Sequence, residues 1–157
     1  MDKNVGFNRN IFLPWLDAAA LFCAETDDWG EVRARLEPIV AQDIASAENR
    51  RKAIDILIHI WGKVAAKAPA LQREAVERFR ATAVAEDRLW LHYGMALLAY
   101  PFFREAAAAV GQIGRREERV TPAMVKERLI ASRGQIGSLE KAVERILFSM
   151  RDWGMLA

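Results

Sequence analysis

Four of the five prolines in this chain stand where a helix would begin, and that placement narrows the possible folds more than any other feature. Proline has no N–H to donate and its φ is already helical, so it suits a first helical turn and disrupts an interior one. Pro14, Pro69, Pro101 and Pro122 each open a block whose apolar residues recur at spacings of three and four. The fifth, Pro38, is expected to end or bend its helix. One run, Ile54, Ile56, Ile58 and Ile60, alternates as a strand would. It has no Gly or Pro at its bounds, however, and Ala53, Ile56, Leu57, Ile60, Trp61 and Val64 also form a broad helical arc. The predicted fold is all-α, about eight helices in a compact helical bundle.

In chain order, residues 1–12 are polar and Asn-rich and are predicted to be an extended or frayed lead-in. A helix then runs from Pro14 to about Thr26. One aspartate of Asp27-Asp28, followed by Glu31 in the first turn, caps a second helix with Val32, Leu36 and Ile39 on its buried side. Ser46 starts the longest helix, about 47–67, on which Lys52, Asp55, His59 and Lys63 form one polar strip, with His59 expected to pair with Asp55. The helix from Pro69 turns Leu71, Ala75, Val76 and Phe79 inward. The next, from Glu86, carries Leu89, Trp90, Tyr93, Leu97 and Leu98 and closes at Tyr100. A helix over 102–114 and the charged connector 115–119 lead to the last pair.

That pair spans Val120 to Leu156. Thr121-Pro122 is a cap and first turn, Gly134 and Gly137 interrupt the pattern, and Ser138 offers a new cap for a helix ending near Trp153. Leu139, Val143, Ile146, Leu147 and Met150 share its core-directed face, and Lys141, Arg145 and Phe148 lie opposite. Phe148 has no core to enter there and requires cover from another element or from a partner. Helix, short turn, helix outlines a helix-turn-helix. One domain, 1–157, is expected, with helix-turn-helix-like lobes over about 13–66 and 101–156 and central helices at 69–99.

Composition excludes several classes. With 52% hydrophobic and 28% charged residues the chain is neither disordered nor fibrous. No apolar run reaches the roughly 18–20 residues that span a bilayer, and the first residues lack the order of a signal peptide, so a cytoplasmic protein with no membrane partner is expected. The one cysteine, Cys23, lies among alanines on a predicted helix, where a small buried residue is the simpler reading than a nucleophile. Only two histidines, His59 and His92, are present, and no metal-binding spacing accompanies them. His92 is expected to be a partly buried, hydrogen-bonded helix residue. No GxSxG, Walker or GxGxxG motif occurs; Gly111–Gly114 and Gly134–Gly137 both read GQIG, but at helix ends. No catalytic residue, metal, cofactor or small-molecule substrate is expected.

Charge leaves one mechanism open. The net charge is only +2, yet residues 1–60 sum to −3 and residues 113–157 to +3, which would bring a polyanion toward the C-terminal helices. A recognition helix presents polar and basic residues from its first turns, and the preceding loop contacts phosphate. Arg133, Gln135, Ser138, Lys141 and Arg145 hold those places at the C-terminal unit, and Asn49, Arg50, Arg51 and Lys52 at the N-terminal one. Against this, Lys141 is flanked by Glu140 and Glu144 and could be part of a solvated, ion-paired face. The alternatives left open are a protein-interaction scaffold using Phe148, or RNA binding.

Taken in order, Asp28-Trp29-Gly30-Glu31-Val32-Arg33, Ser46-Ala47 with Arg50 and Arg51, Tyr100–Arg104, Val120-Thr121-Pro122 and the closing Trp153-Gly154-Met155-Leu156 resemble the BrxA family of BREX bacteriophage-defence systems. The resemblance runs over nearly the whole chain after residue 12. It implies an all-helical fold related to the NusB-type antitermination factors, and non-catalytic binding of double-stranded DNA in support of other phage-defence complex proteins. The chain ends at Ala157, so the wing strand that often follows such a closing helix is not expected.

Overall fold

The computed structural model describes residues 6–135 and 137–156. Residues 1–5 of the expected lead-in, Ile136 of the second GQIG and Ala157 lie outside them. Eight α-helices account for most of the described residues, and no strand occurs among these: α1 Leu13–Glu25, α2 Trp29–Val40, α3 Ala47–Ile58, α4 Pro69–Ala81, α5 Ala85–Ala99, α6 Pro101–Gly114, α7 Pro122–Arg133 and α8 Leu139–Asp152. The fold is all-α.

Local chemistry explains the boundaries. Asp28 accepts from the backbone N–H groups of Gly30 and Glu31, Ser46 from Asn49, and Thr121 from Met124, so three helices start at side-chain caps. The four helix-opening prolines occupy first turns, and Pro38 lies in the last turn of α2, which ends two residues on at Val40. Ser138 stands at the cap position of α8 without making the expected side-chain bond.

The long helix departs from the predicted uniform one. After Ile58 the backbone widens into a π turn, His59–Lys63, and then tightens into a 3₁₀ turn, Ala65–Lys67. The amide of Val64 reaches five residues back to His59, and the Gln72 side chain donates to the displaced carbonyl of Trp61 at 3.2 Å. Gly62 sits inside this turn against the indole of Trp29; a Cβ there would lie 2.7 Å from the ring. The π turn packs against α1 and α5 and marks the centre of the molecule.

Around it, α1, α2 and α3 pack on one another, as do α6, α7 and α8, and α5 joins the two groups. The predicted apolar stripe of α8 is wholly buried: Leu139, Val143, Ile146, Leu147 and Met150 are at most 5% exposed. Cys23 is buried in α1, and its thiol pKa is pushed up to about 12 by that burial.

Three expectations are corrected. The lead-in over residues 6–12 is extended but not frayed, because Phe7 and Ile11 are fully buried. Phe7 stacks among Tyr100, Phe103 and Trp153. The Ile11 amide donates to Ser149 Oγ at 3.0 Å, and Trp153 Nε1 donates to the Ile11 carbonyl at 2.7 Å. Gly6 enters this strap at φ 68°, with its Cα hydrogen against the Tyr100 ring, where any side chain would collide. Second, His59 does not pair with Asp55. Asp55 takes Arg33 and Arg51, while His59 Nε2 bonds the Ala99 carbonyl at 3.1 Å because the π turn swings it toward α5. Third, Leu71 is 44% exposed rather than inward, and on α5 Trp90 and Leu98 are 63% and 51% exposed. The face of α5 that enters the core carries Leu89, His92, Met95, Ala96 and Ala99 instead.

Candidate nucleic-acid interface

Part of the predicted C-terminal cluster, Ser138, Lys141 and Arg145, lines one cleft together with Asn49, the only member of the predicted N-terminal cluster that reaches it. Ser138, Lys141, Ala142 and Arg145 of α8 form one wall; Asn49 of the first turn of α3, with Asp43 and Ile44 of the preceding loop, forms another. The strap closes the third side with Asn8, Arg9, Asn10 and Phe12. The cleft measures about 620 Å³ and opens to solvent.

Three cations, Arg9, Lys141 and Arg145, face one carboxylate, Asp43, and that carboxylate already accepts from Trp15 Nε1 at 3.0 Å. Lys141 and Arg145 are exposed, and among the described residues neither forms an ion pair. Of the two flanking acids, Glu140 turns to Lys126 of α7 at 2.8 Å, and that lysine holds its carboxyl below the ordinary range, while Glu144 is exposed to solvent. Arg9 lies close enough to contribute to the same effect on Glu48, whose carboxyl is lowered mainly by Lys52. Three asparagines and Ser138 add groups that both donate and accept.

The other predicted residues are distributed differently. Arg133 is turned back onto α6: its side chain is 7% exposed, its guanidinium lies over the Phe102 ring and Nη1 is 3.3 Å from Glu105. Arg50 is folded into the α2–α3 connection, donating to Glu37 and to the carbonyls of Ile44 and Ala45. Both guanidiniums hold the protein together. Gln135 is exposed in the α7–α8 turn, away from the cleft lining; Arg51 is 59% exposed beside Asp55, and Lys52 pairs with Glu48 at 3.0 Å. Phe148 is partly covered by the strap, since Phe12 meets it edge-on at 5.6 Å and leaves 37% of it exposed.

Arg9, Asn8, Asn10 and Asp43 were not among the predicted site residues. The only signal for the first three was the apolar trio Phe7, Ile11 and Phe12 set among asparagines, a pattern of anchors rather than of a loose tail. Among the described residues no group of three or more His, Cys, Asp or Glu could hold a metal ion, and no helix is long and apolar enough to cross a membrane. Comparison with protein-family models, with curated proteins and with solved structures found no match.

Proposed function

We propose that this protein is a non-catalytic DNA-binding accessory component of a BREX-type phage-defence system, and that it grips the phosphate backbone of duplex DNA at the cleft between α8, the α2–α3 loop and the strap. The observation that carries this reading is the convergence there of Lys141 and Arg145, both exposed and without carboxylate partners, with Arg9 and Asn49. A cleft of about 620 Å³ is far too small to admit a duplex. It suits one ridge of sugar and phosphate, with the α8 backbone N–H groups near Ser138 pointing at the anion. The defence setting, and the other proteins of such a complex as partners, rest on the ordered resemblance in the sequence; the exposed part of Phe148 is the surface offered to one of them.

Phosphate contacts release counterions, so each one neutralised adds about 0.9 to the slope of log affinity against log salt. With about five contacts the slope is expected near −4.5. Anisotropy titration of a labelled duplex over a salt series measures it. Lys141→Ala with Arg145→Ala should flatten the slope by about two; an unchanged slope would refute the cleft as the binding site. Absence of binding at low salt would refute nucleic-acid binding, and preference for a competing RNA hairpin would replace DNA by RNA.

A further inference from the structure

A phosphate diester only accepts hydrogen bonds, so a cleft for phosphate alone needs only donors. This cleft also offers acceptors. Asp43 gives one carboxylate oxygen, Oδ2, to Trp15 Nε1 at 3.0 Å, and its Oδ1 has no partner among the described residues. The side-chain amides of Asn8, Asn10 and Asn49 line the same space, and among the described residues none of the three makes a hydrogen bond. Two of them stand on the strap either side of Arg9, between the buried anchors Phe7 and Ile11, so packing holds them at the cleft. Phe12, Ile44 and Ala142 add apolar wall, for which a phosphate has no use. At about 620 Å³ the cleft falls within the roughly 300–1,000 Å³ of small-ligand sites.

We infer that the cleft takes in an unpaired nucleotide, and that Asp43 selects bases carrying an exocyclic amino group. Resting on the phosphate grip proposed above, Lys141 and Arg145 hold the strand's phosphates while the base turns inward among the asparagines and against the apolar wall. A side-chain amide both donates and accepts, so Asn8, Asn10 and Asn49 suit the edge of any base. A carboxylate only accepts. The free Oδ1 of Asp43 therefore takes the amino group of cytosine, adenine or guanine, and repels the carbonyl oxygens of thymine. The cleft is too small for a duplex, so the base that enters is one without its partner, as at an overhanging strand end.

Anisotropy competition at one low salt concentration compares a blunt duplex, the same duplex with short dC or dT overhangs, and free dCMP. The dC overhang should bind about tenfold tighter than the blunt end. It should also bind about fivefold or more tighter than the dT overhang, a pyrimidine with a carbonyl where cytosine has its amino group. In Asp43→Asn the indole N–H, which only donates, keeps the amide oxygen, so the NH₂ group turns to the cleft and a donor replaces an acceptor. The variant should reverse the preference toward dT. As a ratio of two overhangs, this readout is not moved by the lost negative charge or by a general loss of stability. Should the variant misfold, the parent's dC-to-dT ratio decides alone. Displacement by dCMP at micromolar concentration identifies a free nucleotide as the occupant; displacement only at millimolar concentration identifies the strand end. Equal binding of blunt, dC and dT ends overturns the inference and leaves the duplex grip standing, as does a dC preference that survives Asp43→Asn. Failure of all three duplexes to bind refutes the grip itself and the inference with it.

Discussion

Trp61, His92 and Asp17 form a chain of hydrogen bonds between α5, the π turn and α1. Trp61 Nε1 donates to His92 Nδ1 at 3.0 Å, and His92 Nε2 lies 2.7 Å from Asp17 Oδ1. An indole N–H can only donate, so Nδ1 must be the acceptor and Nε2 carries the proton. The neutral imidazole is therefore fully satisfied, and a second proton would set two N–H groups against each other. Burial pushes the His92 pKa below its ordinary 6.5 despite the nearby carboxylate, and His59 is lowered for the same reason. On unfolding each returns toward 6.5 and takes up a proton that the folded protein refuses. Stability is thus whole above pH 6.5 and falls as the pH drops below it, by up to about 1.4 kcal/mol per pH unit for each histidine. Glu48 and Glu140, held down by lysines, add their loss only below about 4.5. Urea unfolding at pH 7.5 and 5.5 should show the decline, and His92→Gln, which can accept from Trp61 and donate to Asp17 without titrating, should lessen it. An equal decline in both proteins would refute this assignment.

At the scale of elements, the π turn is the feature that helical periodicity does not reveal. Apolar spacing predicts that residues 47–67 are helical, and they are, but it does not distinguish i+4 from i+5 bonding over five residues. What forces the wider turn is tertiary: Trp29 of α2 occupies the space beside Gly62, and Gln72 of α4 takes the carbonyl that the turn releases. Two glycine substitutions separate this role from simple propensity. Gly62→Ala would place a methyl group 2.7 Å from the Trp29 ring and should cost about 1–3 kcal/mol through overpacking. Gly111→Ala, exposed in α6 with nothing near its Cβ, should stabilise by about 0.5–1 kcal/mol. Equilibrium denaturation of the two variants beside the parent measures both, and a neutral Gly62→Ala would mean that the turn does not depend on the close approach.

For the molecule as a whole, the strap joins the beginning of the chain to its end. Ile11 is bonded to Ser149 and Trp153, the Leu13 amide donates to Asp152 at 3.0 Å, and Phe7 fills the space between α5, α6 and the end of α8. Contacts between residues about 140 positions apart hold the two helical groups together and shape the cleft at the same time. Phe7→Ala should therefore cost about 3–5 kcal/mol, a large part of the 5–15 kcal/mol that a domain possesses. It should also weaken any ligand of the cleft, because Arg9 and Phe12 are positioned by the same anchor. Thermal melting with and without a DNA duplex tests both effects; a variant with the parent's melting temperature would show that the strap is dispensable.

The sequence by itself determined the helices. Capping side chains, first-turn prolines and apolar spacing are local, each acting within a turn or two of its neighbours, so the all-α class and most boundaries could be read from them. It also indicated which residues of α8 face out, since a stripe as regular as Leu139, Val143, Ile146 and Met150 leaves Lys141 and Arg145 on the other side. Only the tertiary structure decided which cations stay available. Arg133 and Arg145 are alike in sequence, yet Phe102 and Glu105 hold the first against α6 while nothing opposes the second. The partner that removes a charge from solvent, like the ring that widens a helix or the strap that builds a cleft wall, comes from a distant part of the chain, and no local pattern specifies it.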